Sequence, residues 1–158
     1  MKKPRRIAKI MDLGELPQLF GYLLRIANRA SDRQLLPVLG AMGSTRAEFT
    51  TLMIIIYNPD SALQEITAAV GVELPATQRL VNSLHDKGYV IRSRPEHDKR
   101  FTLYRATAKG LEQAEKMKEL AKMADRRLLE DLSPAEQDEL FRLLHHIGEK
   151  AKKLQNSD

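Results

Sequence analysis

Residues 63–106 read LQEITAAVGVELPATQRLVNSLHDKGYVIRSRPEHDKRFTLYRA, and this stretch decides the fold. Its first half has apolar residues at helical spacing on both sides of Gly71, a residue type that readily adopts the positive φ of a helix–helix turn. At Tyr89 the apolar period changes to the alternation of a strand. Two strand-like runs, 89–94 and 101–106, flank the polar segment 95–100. The pattern predicts a helix-turn-helix that runs directly into a β-hairpin, which is a winged helix.

Apolar stripes at helical spacing lie on both sides of this winged helix. The first begins at Leu16 and continues to Ala30, and we expect Pro37, Gly40 and Gly43 to close its helix. The second extends from Leu140 to Leu154, beyond a long helix that Thr107 is predicted to cap and that continues to about residue 130. A small winged domain cannot bury both stripes. We therefore expect them to pair with a second subunit, the alternative being that the two ends pack together within one chain.

Capping patterns predict where the helices begin. Thr45 and Ser133 each precede a glutamate by three residues, which is the spacing of a capping box. Ser61 with Gln64 is a third such pattern, so we expect a short helix to begin at Ser61 and to end near Val70. The chain is thus predicted to be mainly α with a small β-hairpin wing: a winged helix-turn-helix with N- and C-terminal dimerisation helices.

Positive charge is clustered along the chain. The 158 residues include 26 lysines and arginines against 21 aspartates and glutamates, a net charge of +5. Residues 1–9 carry five cations and no anion, and the window 73–106 carries seven cations against four anions, whereas the remainder is slightly acidic. Such clustering indicates an anionic partner, a nucleic acid or a membrane surface, with a solvated tail and chance as the alternative. Five cations stand in or beside the hairpin: Arg92, Arg94, Lys99, Arg100 and Arg105.

Several classes of protein are excluded or not expected. The absence of cysteine excludes a disulfide scaffold, a cysteine-ligated zinc site and a reactive thiol. No run of 18 apolar residues is present, and no apolar segment follows the basic N-terminus, so we expect no membrane span and a cytoplasmic protein. The four histidines lack metal-ligand spacing and no glycine-rich phosphate loop occurs. We therefore expect no metal, no cofactor and no enzymatic activity.

The chain resembles the MarR family of winged-helix transcriptional regulators. The matching segments are 65–71 (EITAAVG), 79–90 (RLVNSLHDKGYV) and 97–100 (HDKR), and 106–110 (ATAKG) is similar to the family's Leu-Thr-x-x-Gly segment before the long helix. The resemblance extends over about residues 16–144. It implies a homodimer on double-stranded DNA, with each recognition helix in a major groove and each wing tip at a minor groove.

The resemblance also implies roles for individual residues. Arg100 would be the minor-groove residue, with its guanidinium held by Asp98; the alternative is a solvated ion pair. In the recognition helix, Gln78 suits adenine, whereas Arg79 suits either guanine or a phosphate. Thr77 has an inward orientation as its alternative. The predicted DNA-contacting set is Pro75, Ala76, Thr77, Gln78, Arg79, Arg92, Arg94, Asp98, Lys99 and Arg100.

The function implied is that of a ligand-responsive repressor on an inverted-repeat operator. Without a thiol, the effector would be an aromatic acid, an aromatic acyl-thioester or another lipophilic anion, or there is none. Arg25, Asn28, Arg46 and Tyr57 are the candidate effector residues, with solvated helix faces as the simpler explanation. A winged-helix protein-interaction module and a non-specific architectural DNA binder are the competing hypotheses.

This interpretation divides the chain into four parts. They are a flexible basic arm (1–14), an N-terminal dimerisation helix (15–44), the winged helix-turn-helix DNA-binding domain (45–106), and the long helix with the C-terminal dimerisation helix (107–158).

Overall fold

A computed structural model of the chain describes residues 11–93 and 102–155. The elements follow in the order of a 3-10 turn (Leu16–Gln18), α1 (Phe20–Ala41), α2 (Arg46–Tyr57), β1 (Ser61–Ala62), α3 (Leu63–Val70), α4 (Leu74–Asp86), β2 (Val90–Ser93), β3 (Leu103–Ala106), α5 (Ala108–Leu128) and α6 (Pro134–Gln155). The predicted class, mainly α with a small antiparallel β unit, is confirmed.

Helices α3 and α4 form the predicted helix-turn-helix around Gly71. This residue has a φ of 73°, and its N–H donates to the carbonyl of Thr67 at 3.0 Å, which closes α3. Ile66 of α3 and Val81 and Leu84 of α4 are completely buried. They join the buried apolar residues of α2 and α5 in one core. The core therefore holds α4 in place from its inner side and leaves the outer side of this helix open.

The sheet has three strands, one more than predicted. Strand β3 lies in the centre, antiparallel to β2 on one side and to β1 on the other. Ser61 of β1 pairs with Tyr104 of β3, so the prediction that Ser61 begins the next helix is wrong. Because the backbone of Ser61 is committed to the sheet, α3 begins after Ala62 instead. The N–H of Ala62 donates to the Glu65 carboxylate at 2.7 Å.

Helix α1 continues through Pro37, a residue that was expected to help end it. Proline removes one N–H donor from the helix interior. However, Leu35 and Leu39 on either side are buried in the core and keep this turn helical. The helix ends at Ala41, and Gly43, with a φ of 67°, then turns the chain toward α2.

Three helix starts have the predicted caps. The Thr45 hydroxyl accepts from the N–H of Glu48 at 3.1 Å, while the Glu48 carboxylate accepts from the N–H of Thr45 at 2.8 Å. The Thr107 hydroxyl accepts from the N–H of Gly110 at 3.0 Å. Ser133 makes the corresponding pair of bonds with a glutamate at the start of α6. The local capping patterns at these three positions thus predict the helix boundaries correctly.

The start of α5 is hydrogen-bonded to the short segment that follows α4. The N–H of Thr107 donates to the carbonyl of Tyr89 at 2.9 Å, and the Lys109 ammonium donates to the carbonyl of Lys87 at 2.8 Å. A Cβ on Gly110 would lie 2.1 Å from the Tyr89 carbonyl oxygen. Because no side chain fits at that distance, glycine is required for this close approach.

Helices α1 and α6 leave their apolar stripes uncovered in the single chain. In α1, three of these side chains are 46–55% exposed, namely Phe20, Leu23 and Leu24. In α6, four are 41–45% exposed, namely Phe141, Leu143, Leu144 and Ile147. Within the described residues, the backbone of α6 makes little contact with the other elements. The two stripes therefore do not bury each other within one chain.

Candidate nucleic-acid interface

The first turns of α4 place the predicted recognition residues differently. Pro75 and Arg79 are exposed, whereas Gln78 and Ala76 are half-buried. Thr77 is completely buried, and its hydroxyl donates to a backbone carbonyl one turn earlier at 3.4 Å. The inward orientation of Thr77 is therefore the one observed, and the prediction that it contacts DNA is wrong.

Arg79 is an exposed cation on the outer side of α4. Among the described residues, no hydrogen-bond or ion-pair partner of its guanidinium is found. An unpaired guanidinium keeps five N–H donors in a planar fork, which matches a phosphate or the acceptor edge of guanine. Arg79 can therefore serve either of the two roles predicted for it.

Gln78 and Arg92 meet at Asn82, a residue for which the sequence pattern predicts no role. The amide nitrogen of Gln78 donates to Asn82 Oδ1 at 2.8 Å. Nη2 of Arg92, on β2, donates to the same oxygen at 2.6 Å. The spacing of four residues between Gln78 and Asn82 places both side chains on one face of the helix and was a usable signal. The polar face of α4 and the first strand of the wing are thus joined through one amide oxygen.

The charge of Arg105 is balanced by Asp60. The Arg105 Nε donates to Asp60 Oδ1 at 3.1 Å, and its Nη2 pairs with the other carboxylate oxygen. These hydrogen bonds hold the pKa of Asp60 below its ordinary value, so both groups are charged at neutral pH. Arg105 therefore contributes no net charge for an anionic ligand.

The remaining wing residues lie outside the residues that the structure describes. Their roles at the tip of the wing stay predictions. They are Arg94, Asp98, Lys99 and Arg100.

A buried carboxylate fastens α4 to the start of α2. Glu48 is 5% exposed, and its Oε1 accepts from Ser83 Oγ and from the Lys87 ammonium, both at 2.5 Å. The Lys87 ammonium also donates to the carbonyl of Gly43 at 2.8 Å. Burial raises the pKa of Glu48, but the bonds from Lys87, Ser83 and Thr45 outweigh it, and the pKa is lowered. The ionised cluster fixes the orientation of α4.

The four candidate effector residues do not form one site. Arg46 Nη2 lies 2.7 Å from an Asp32 carboxylate oxygen, and Asn28 Nδ2 donates to the other at 3.4 Å. Arg25 lies over a tyrosine ring of α1, 5.0 Å from its centroid. Tyr57, at the other end of α2, is 70% exposed. The structure thus brings together Asn28 and Arg46 and separates them from Tyr57.

An apolar cleft of about 390 Å³ lies between α1, the end of α5 and α6. Its lining is apolar apart from Asn28, Ser31 and Asp125. Among the four candidate effector residues, Asn28 is the one that lines this cleft. The cleft adjoins the exposed apolar side chains of both terminal helices.

Membrane-spanning helices and metal-binding clusters are absent from the part of the chain that the structure describes. No helix there is both long and apolar enough to cross a membrane. No group of three or more histidine or acidic residues there is arranged to hold a metal ion.

The chain is similar in sequence to known transcriptional regulators. A sequence profile described as MarR family matches residues 42–100, which covers the helix-turn-helix and part of the wing. The HTH-type transcriptional regulator BilQ of Clostridium symbiosum is 33% identical over 100 residues, which is 61% of this chain and 69% of BilQ.

Two solved structures, both with DNA, are similar over nearly the whole chain. The transcriptional repressor CouR bound to a 23-mer DNA duplex has a TM-score of 0.82 and 27% identity, covering 89% of this chain and 99% of CouR. A MarR mutant from E. coli complexed with operator DNA has a TM-score of 0.75 and 28% identity, covering 87% of this chain and 99% of that one. CouR has also been solved bound to p-coumaroyl-CoA, with a TM-score of 0.76.

Proposed function

This chain belongs to the MarR family of winged-helix transcriptional regulators, and on that premise we propose that it is a repressor that binds an inverted-repeat operator as a homodimer. The surface made by α4 and β2 carries this proposal. Gln78 and Arg79 of α4, together with Arg92 of β2, lie on the side of α4 that is not buried in the core. A helix held in this way can enter a major groove with its polar face forward.

The residues of this surface have separate roles in the proposal. Gln78 reads adenine through its amide, and Arg79 binds guanine or a phosphate. Arg92, Arg94 and Lys99 bind phosphates along the wing. Arg100 enters the minor groove, where Asp98 holds its guanidinium by a charge-assisted bond. Pro75 and Ala76 contribute contact area at the start of the helix.

The proposed homodimer forms through the apolar stripes of α1 and α6. The exposed large apolar side chains on these two helices include seven that are 41–55% exposed in the single chain: Phe20, Leu23, Leu24, Phe141, Leu143, Leu144 and Ile147. A contiguous exposed apolar face of this kind marks an interaction surface. A symmetric dimer would cover both stripes and place two copies of α4 for the two halves of an inverted repeat.

A titration on DNA tests the proposal. A labelled duplex is taken from the promoter region next to the gene of this protein, and a scrambled duplex of the same composition serves as control. We expect the dimer to bind the first duplex more tightly by about 1,000-fold or more at physiological salt. The logarithm of its affinity should fall linearly with the logarithm of the salt concentration. Arg79→Ala separates the two roles of this residue: loss of a phosphate contact makes the slope shallower by about 2 per dimer, whereas loss of a guanine contact reduces the preference for the first duplex.

The competing hypotheses give different results in the same titration. A non-specific architectural binder would show the salt dependence with equal affinity for both duplexes. A protein-interaction module would show no salt-dependent binding to either. Both outcomes contradict the proposal. For the wing, Arg100→Ala binding with the wild-type affinity would contradict the minor-groove role.

We infer further that a lipophilic anion regulates the repressor. CouR, a similar protein, is bound to p-coumaroyl-CoA in one structure, and this compound is an aromatic acyl-thioester. Native mass spectrometry of the dimer after exposure to aromatic acids and their thioesters should reveal one that binds. The same compound should lower operator affinity, because a ligand shifts the protein toward the geometry that it prefers. If none of these compounds binds, or if the compound that binds does not change the affinity for DNA, regulation by a lipophilic anion is contradicted.

A further inference from the structure

Asn82 occupies the junction between the recognition helix and the wing. Its Oδ1 accepts two hydrogen bonds, from Gln78 Nε2 at 2.8 Å and from Arg92 Nη2 at 2.6 Å. Gln78 lies one helical turn earlier on α4, whereas Arg92 lies on β2, ten residues later in the sequence. A single amide oxygen thus binds one donor from each of the two elements that face the DNA in the proposed function.

The bond to Asn82 fixes which way the Gln78 amide is turned. An amide has two N–H donors and one oxygen, and the Asn82 oxygen can pair with the nitrogen side alone. One N–H and the carbonyl oxygen of Gln78 then remain for a ligand. This is the donor–acceptor pair that adenine N7 and N6 require for two simultaneous hydrogen bonds. Fixing the amide before binding removes part of the ordering cost that a mobile glutamine would have.

The bond to Arg92 fixes the base of the wing. Arg92 pairs with Tyr104 across the sheet, and Tyr104 is 3% exposed, so this part of β2 is anchored from its inner side. The Asn82 bond adds an anchor on the side of α4. The charge of Arg92 makes this hydrogen bond stronger than one between neutral groups. The distance between α4 and the wing is therefore held on both sides of β2.

We propose that Asn82 is a positioning residue for operator recognition, which sets the direction of the Gln78 amide and the placement of the wing relative to α4. The proposal rests on the proposed function, because the positions matter where α4 and the wing bind DNA together. Asn82 itself needs no contact with a base. Its contribution lies in the base preference of Gln78 and in the spacing of two DNA-contacting elements.

A double-mutant cycle tests the role. Wild type, Asn82→Ala, Gln78→Ala and the double variant are titrated on the operator and on operators with one adenine at a time changed in both half-sites. The adenine whose change weakens the wild type but not Gln78→Ala is the one that Gln78 contacts. We expect Asn82→Ala to reduce the preference for adenine by about threefold to tenfold, the scale of ordering one long side chain. In the Gln78→Ala background, Asn82→Ala should change this preference no further. Thermal melting of all four proteins verifies that the fold is kept.

Asn82→Asp is the matched variant. A carboxylate accepts both hydrogen bonds, so the adenine preference should stay within about twofold of the wild type. The added negative charge should weaken binding to every duplex alike. A merely structural role for Asn82 would lower the melting temperature and leave the ratio of the two affinities unchanged.

Three results would overturn the proposal. They are an unchanged adenine preference in Asn82→Ala, the same loss in the Gln78→Ala background, and an equal loss in Asn82→Asp. A wild-type chain without any duplex preference would contradict the proposed function itself. If the wild type prefers the operator and Asn82→Ala keeps the same preference for adenine, the positioning role is contradicted and the proposed function is not.

Discussion

The winged-helix region and the two terminal helices reach stability in different ways. Ile66 and Val81, in the helix-turn-helix, are completely buried within the single chain. Leu23 of α1 and Leu144 of α6, which are equally apolar, are 51% and 41% exposed. The core of the first region is thus formed within the single chain. The terminal helices expose apolar side chains that the rest of the single chain does not cover.

The charged residues of the two regions differ in the same sense. Glu48 is buried and bound to Ser83 and Lys87, far away in sequence. Exposed glutamates of α5 and α6 pair with a lysine or an arginine on their own helix, namely Glu112, Glu115, Glu119 and Glu139. Exposed pairs of this kind add little to stability. The winged-helix region thus fixes its shape with long-range polar contacts, whereas the helices outside it carry local ones.

The largest expected effect comes from replacing the apolar residues of α6. Leu144→Lys combined with Ile147→Lys should convert the dimer to a monomer, because four charges per dimer would enter the apolar interface. Operator affinity should then fall by about 100- to 10,000-fold, since each half-site would be bound independently. Sedimentation equilibrium and the DNA titration measure the two effects.

Val72→Lys is the matched control for this experiment. Val72 is 41% exposed, the same fraction as Leu144 and Ile147, but it belongs to the turn of the helix-turn-helix. Its mass in sedimentation should remain that of the wild type. If the protein with both α6 substitutions is still a dimer, the exposed apolar side chains of α6 do not form the dimer interface.

The next largest effect is expected where α5 meets the winged helix. Gly110→Ala should destabilise the protein by about 3 kcal/mol, because the new methyl group would collide with the carbonyl of Tyr89. Gly40→Ala, in α1, should be neutral or stabilising by up to about 1 kcal/mol, since nothing lies within 4 Å of its Cβ. Urea unfolding at one protein concentration compares them. Equal free energies of unfolding for both variants would show that the Tyr89 carbonyl does not block a Cβ at Gly110.

The smallest expected effect concerns the charge of Glu48. Glu48→Gln should lower the free energy of unfolding at pH 7 by about 1–3 kcal/mol, because the Lys87 ammonium loses a charged acceptor. The pKa of Glu48 is lowered in the folded chain, so its contribution is present above the ordinary carboxyl pKa and is lost as the pH falls through the lower folded pKa. The difference between wild type and Glu48→Gln should therefore shrink as the pH falls below about 4.

Urea unfolding at pH 7, 5, 4 and 3 provides the measurement. Glu112→Gln, which removes an exposed carboxylate, serves as control and should unfold as the wild type does at pH 7. A constant difference between wild type and Glu48→Gln at all four pH values would mean that the charge of Glu48 is not what stabilises the cluster.

Local patterns predicted much of this fold. The capping boxes at Thr45 and Ser133 and the positive φ of Gly71 depend on residues within one helical turn. The errors arose where tertiary contacts prevail over local preference. Pro37 did not end α1 because the core holds the turns around it, and Ser61 did not cap α3 because β3 binds its backbone.

The candidate site was predicted less completely, for the same reason. A recognition helix next to a basic hairpin follows from hydrophobic period and charge. The burial of Thr77 and the pairing of Arg105 with Asp60 depend on three-dimensional neighbours. In the Glu48 cluster, Ser83 and Lys87 lie 35 and 39 positions after Glu48 in the sequence. At such separations the spacing of residues does not predict a contact.

The attachment at Tyr89 and Gly110 has a mechanical consequence. Because the start of α5 is hydrogen-bonded to Lys87 and Tyr89, which directly follow α4, a rotation of α5 would move the end of α4 with it. Helix α5 has 21 residues and acts as a lever arm. With a length of about 30 Å, a tilt of about 5° displaces its far end by roughly 3 Å. A displacement of that size at the outer end of α5 would turn α4 without any change inside the winged helix.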